Sequence, residues 1–168
     1  MAVPNLFLAH SFDLPFPRLT PSDPPPNPGL IEELNAAADK PIFTGPRGEC
    51  ARALLLLGAG DLESAHRIAQ DSPGADGAYV HGLVHRTDGD FGNAKYWFAR
   101  AGVHPAGAEI FRRAAANSSR VAAQAVWDPT LLINWLQNPG ASKDPELRAV
   151  AKVEAEALLE YLMEPPVG

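Results

Sequence analysis

The sequence predicts an all-α fold: a compact domain of repeated helical hairpins, with an extended Pro-rich N-terminal arm and C-terminal capping helices. Three observations predict it. Leu54–Ser72 (LLLLGAGDLESAHRIAQDS) and Leu83–Ala101 (LVHRTDGDFGNAKYWFARA) echo each other 29 residues apart, with Gly60-Asp61-Leu62 over Gly89-Asp90-Phe91 and Ala65 over Ala94. Each copy is an apolar helical run, a Gly-Asp turn and a second helical run, and a hairpin of that kind buries its apolar face only against a neighbour. Cap-then-proline pairs recur at Asn27-Pro28, Asp128-Pro129 and Asp144-Pro145, the signature of a helix start. No segment reads as a strand.

The arm is residues 1–27. Ten of the 17 prolines lie in the first 46 residues, with Pro24, Pro25 and Pro26 consecutive, and proline fixes φ while removing a hydrogen-bond donor. The arm also carries Leu6, Phe7, Leu8, Phe12, Leu14, Phe16 and Leu19. Disordered segments are poor in aromatics, so the arm is expected to drape over the body.

Residues 28–164 form the single helical domain. Asn27-Pro28 opens a helix with Ile31, Leu34 and Ala38 on one stripe, ended by Pro41. The first hairpin spans 46–72, with helices at about 46–58 and 61–72; Thr44-Gly45-Pro46 starts it, Asp61 caps its second helix and Pro73-Gly74 breaks that helix. The second hairpin spans 76–102, with helices at about 77–87 and 90–101 capped by Asp76 and Asp90 and a stop at Gly102. C-terminal helices fill 106–164. Ala106–Ala116 carries Ile110, Phe111 and Ala114 on one face, Asn117-Ser118-Ser119 interrupts it, and a further segment runs through Ala125. Asp128-Pro129 opens Thr130–Gln137, and Asp144-Pro145 opens Glu146–Met163, whose Leu147, Val150, Ala151, Leu158 and Leu162 form a broad stripe.

Composition narrows the function classes. A formal net charge of −6 argues against a nucleic-acid or anionic-membrane partner. No run approaches the ~20 apolar residues of a membrane span, and MAVPNLFLAH has no basic n-region. The lone Cys50 has no disulfide partner in the chain, and the expected location is cytoplasmic. Gly58-Ala59-Gly60 is not followed by the Lys-Ser/Thr of a phosphate loop, and Ser118-Ser119 lacks an esterase's nucleophile setting.

The second hairpin resembles a tetratricopeptide repeat. Gly82 and Ala94 take the small positions of its two helices, Phe98 the aromatic position, Ala101 the later small position and Pro105 the following proline; the first hairpin matches with Ala53, Ala65 and Ala69. The resemblance covers residues 46–105, in two degenerate TPR-like copies. It implies that Gly82 and Ala94 let their helices approach closely, that Ala78, His81 and His85 face inward, and that Tyr79, Leu83 and Arg86 face a partner-binding groove. Arg86 could there meet a carboxylate.

The leading functional expectation is therefore a non-enzymatic interaction module for a protein or peptide, with no cofactor. The alternative is a small-molecule or metal-dependent enzyme using a His81/His85/Asp90 pocket. His81 and His85 lie four apart on one helix face, and Asp90 could orient either as a general base. A divalent metal at His81, His85 and His104 ranks below both. The spacing is not HExxH, so no built-in base lies between the histidines. Buried imidazoles must find hydrogen bonds, here from Asp90 or backbone carbonyls. Tyr96-Trp97-Phe98 reads as core packed on two sides, and Cys50 as a buried structural thiol.

Overall fold

The two Gly-Asp turns are built alike. Gly60 and Gly89 take left-handed backbone (φ 99° and 83°), which a glycine adopts without a Cβ penalty. The aspartate that follows each caps the next helix: Asp61 Oδ1 accepts from Ser64 N at 3.0 Å and Asp90 Oδ1 from Asn93 N at 3.2 Å. Each turn folds a long helix back on a shorter one. A computed structural model gives the structure, which describes residues 14–165.

Nine α-helices are present among the described residues, and no strand. They are α1 (Pro28–Ala36), α2 (Gly45–Ala59), α3 (Leu62–Asp71), α4 (Gly74–Asp88), α5 (Phe91–Ala101), α6 (Gly107–Ala115), α7 (Ser119–Ala122), α8 (Thr130–Leu136) and α9 (Pro145–Met163). The hairpins are α2/α3 and α4/α5, and α3 also packs on α4. None of these helices is long and apolar enough to cross a membrane.

Helix α2 is the centre. Cys50, Ala51 and Ala53 through Leu57 are all buried, as befits a helix apolar on every side. Helix α9 packs on both α2 and α6 and joins two apolar cores. Its Leu147, Val150 and Ala151 meet Leu132, Trp135 and Val121. Its Leu158, Leu159 and Leu162 join the core of α1 to α5. Asn27, Asp128, Ser118 and Asp144 accept from backbone N–H groups at the helix starts they precede.

Residues 14–27 have no regular secondary structure and lie on the helices. Leu14 and Phe16 pack on the larger core and Leu19 is buried in the smaller. Arg18 is buried and donates from Nε to the Gly58 carbonyl (2.9 Å), while its own carbonyl accepts from Thr87 Oγ1 (3.1 Å). Leu6, Phe7, Leu8 and Phe12 fall outside the described residues.

Three local expectations are corrected. Asp76 caps nothing: α4 starts earlier, at Gly74 after Pro73, and the Asp76 carboxylate instead meets His104. Helix α7 stops at Ala122 rather than Ala125. Gly82 faces the Phe98 ring, as expected of the residue that fills the space beside the small pair; a Cβ on it would lie 2.7 Å from Phe98 Cε1 and 2.8 Å from Cδ1. Tyr96 is 53% exposed, because α5 turns one stripe inward through Ala94, Phe98 and Ala101 and leaves Tyr96 outside it.

Candidate functional site

Helices α3, α4 and α5 bring three histidines and a tryptophan together. Asp61 sets the register of α3 and places His66 on the side that meets α4. His81 and His85, one turn apart on α4, face it, and Trp97 of α5 closes the far side. His66 Nε2 and His81 Nε2 lie 3.0 Å apart. One nitrogen from each of His66, His81 and His85 fits within a 4.8 Å spread. The His81 ring stacks on Trp97 at 3.9 Å and on His85 at 4.8 Å, and His66 meets both histidines edge-on.

His81 is 3% exposed. Its Nδ1 is buried with no hydrogen-bond partner, so its one polar contact is another imidazole. Burial, reinforced by His66 and His85, lowers its pKa to about 4, which leaves the ring neutral at pH 7. His85 is half-buried, and its pKa is lowered by burial and then by His66.

Asp90 stands beside this group without bonding to it. Its Oδ2 lies 3.9 Å from His85 Nδ1 and accepts instead from Asn93 Nδ2 at 2.7 Å. Those Asn93 hydrogen bonds hold its carboxyl below the ordinary range. The expected orientation of a histidine base by Asp90 is therefore not made. The expected satisfaction of His81 by Asp90 or a backbone carbonyl is replaced by His66.

His104 is not part of the trio. Its Nε2 pairs with Asp76 Oδ1 at 2.8 Å, its Nδ1 accepts from Ala106 N at 3.1 Å, and its ring sits between Tyr79 and Tyr161. Both nitrogens are occupied, so the set His81, His85, His104 is corrected to His66, His81, His85. The signal for His66 was available: in stacked hairpins the second helix of one meets the first helix of the next, so α3 had to be read against α4.

Tyr79, Leu83 and Arg86 are 1%, 3% and 5% exposed, so the partner surface expected of them is not presented. They face α9. The Tyr79 hydroxyl donates to Glu154 Oε1 at 2.7 Å and accepts from Trp127 Nε1 at 2.8 Å. Arg86 Nη2 donates to Glu154 Oε2 at 2.7 Å. Burial and the adjacent Glu154 carboxylate push the Tyr79 phenol pKa well up. The carboxylate that Arg86 meets belongs to this chain.

A cleft of about 560 Å³ opens on the other side of Tyr79, between α5, α6 and the loop before α8. Phe98, Phe111, Val126 and Trp127 wall it, with Lys95 at the rim. Val103 and Val126 beside it are fully and mostly exposed. Comparison with known proteins returns no matching family model, no matching curated protein and no matching solved structure.

Proposed function

We propose that the chain is an interaction module, built on hairpins that resemble tetratricopeptide repeats, and that it receives a short partner segment in the cleft walled by Phe98, Phe111, Val126 and Trp127. The observation that supports this reading is the cleft itself. Its volume lies in the range of ligand sites, its walls are apolar and a few polar groups converge on it. Val103 and Val126 add exposed apolar surface at its mouth. Asp128 Oδ1 at the rim accepts from Thr130 N and Oγ1, and Lys95 is the lysine of the lining, able to meet an acidic group of a partner. The occupant is thus a peptide segment with a bulky apolar side chain next to an acidic residue.

Ala108 lines the cleft and is exposed, so Ala108→Trp fills it without touching the core. Peptides selected on the protein from a random library should share an apolar anchor beside Asp or Glu. They should bind Ala108→Trp at least about tenfold more weakly, a loss of ~1.4 kcal/mol. Selected peptides indifferent to Ala108→Trp would refute the reading.

A second reading, small-molecule or metal-dependent chemistry around His81 and His85, is favoured by one observation, the convergence of His66 on the same point.

A further inference from the structure

We propose that His66, His81 and His85 form a zinc site, with three imidazole ligands from α3 and α4 and a water in the fourth position. This deepens the second reading and is independent of the cleft.

The geometry comes first. Zinc binds histidine nitrogen at about 2.0–2.1 Å, so tetrahedral ligands sit about 3.3 Å from one another. His66 Nε2 and His81 Nε2 are already 3.0 Å apart, and the whole trio lies within 4.8 Å. The longest separation therefore needs to close by at most about 1.5 Å. The half-buried His85 can supply that by a side-chain rotation, because it is the outermost of the two α4 rings.

The metal-free arrangement is poorly satisfied. Two Nε2 atoms that face each other can share only one proton. A zinc ion replaces a single nitrogen–nitrogen contact with two coordinate bonds and gathers the third ring.

The protonation state suits it too. Metal ligation needs a neutral imidazole, and burial keeps His81 neutral at pH 7. Its ring is held against Trp97 at 3.9 Å, so little side-chain freedom remains to be lost on binding. With His85 ligating through Nε2, its Nδ1–H would turn to Asp90 Oδ2, now 3.9 Å away; a carboxylate in that position orients zinc-bound histidines. Three imidazoles suit zinc, copper or nickel over magnesium or calcium. Three protein ligands, with His85 reaching the surface, leave the fourth position open to water.

The test is titration of tag-free, chelator-treated protein with Zn²⁺, and with Co²⁺ as a spectroscopic substitute. The wild type should bind one ion per chain, raise its Tm with zinc and show the visible bands of tetrahedral Co²⁺. His66→Ala and His85→Ala, both half-buried positions, should each lose at least tenfold in affinity while keeping the helical circular-dichroism spectrum; a ligand's removal costs no less than the 10–100-fold seen for outer partners. Should one variant fail to fold, the other decides. No one-to-one binding by the wild type, or binding unchanged in a folded His66→Ala or His85→Ala, overturns the proposal. Neither result bears on the cleft, whose peptide binding is read separately with Ala108→Trp.

Discussion

Arg86 and Glu154 form an ion pair from which water is excluded on both sides. Nη2 and Oε2 are 2.7 Å apart, with Arg86 5% and Glu154 0% exposed. Tyr79 holds the second carboxylate oxygen, so the pair pins α4 to α9 across 68 residues of sequence. Two charges taken out of water recover that cost chiefly through each other, and removing one strands its partner.

Glu154→Leu should therefore destabilise the protein by about 3–5 kcal/mol, because it leaves the Arg86 cation buried alone. Arg86→Met should cost a similar amount by stranding the carboxylate. The double variant should recover most of the loss, since apolar residues of like volume replace a buried pair at little cost. Urea denaturation of the three variants measures this. Single-variant losses that simply add in the double variant would show that the two groups do not act as a pair.

Gly82 is where α4 yields to Phe98. A Cβ there would lie 2.7–2.8 Å from the Phe98 ring, and both helices are fixed by the turn at Gly89. Gly82→Ala is expected to cost about 1–3 kcal/mol by overpacking, despite alanine's better helix propensity. Phe98→Leu should relieve it. In a double-mutant cycle, Gly82→Ala made in the Phe98→Leu background should cost less than it does in the wild type. Equal costs would place the strain elsewhere.

Much of the fold was legible because helix ends are chemically marked. Asn27, Asp61, Asp90, Asp128 and Asp144 each read as a cap, and each accepts backbone N–H groups where expected. Asp76 shows the limit: a capping residue in the first turn is not a cap when proline and glycine just before it have already begun the helix. The site was less legible, because its members belong to different hairpins. Periodicity along α4 puts His81 and His85 on one face, but what that face meets depends on how α3 stacks. The groove that the resemblance implies for Tyr79 and Arg86 fails for the same reason. Their partner, Glu154, lies 75 and 68 residues away on a helix whose apolar stripe gives no hint of a buried carboxylate.

Cys50 should be chemically silent in the folded protein. It is fully buried in α2, and burial pushes its thiol pKa up to about 11. The thiolate is the reactive form, and about 0.1% is present at pH 8 for such a pKa. Modification by a disulfide reagent at pH 8 should be slow, gain tenfold per pH unit while the fold persists, and become rapid in denaturant. Stoichiometric labelling within seconds under native conditions would show an open thiol.

The seating of the arm can be tested without altering the arm. Gly58, on the last turn of α2, lies directly beneath it: a Cβ there would sit 2.7 Å from the Pro15 carbonyl oxygen and 2.8 Å from Pro15 Cγ. Gly58→Ala should raise helix propensity in α2 by up to ~1 kcal/mol and yet lift residues 14–16, since a backbone atom cannot swing aside as a flexible side-chain end can. Arg18 donates to the Gly58 carbonyl and would be loosened with them. The Arg18–Leu19 bond then becomes open to trypsin, which needs the arginine side chain free and the backbone extended. Mass spectrometry should find that bond cut about tenfold faster in Gly58→Ala, equivalent to making local opening ~1.4 kcal/mol easier. Cleavage within α2 itself should not accelerate. Equal rates at Arg18–Leu19 in the two proteins would mean that the arm leaves the surface freely and that its contacts with α2 contribute nothing to holding it there.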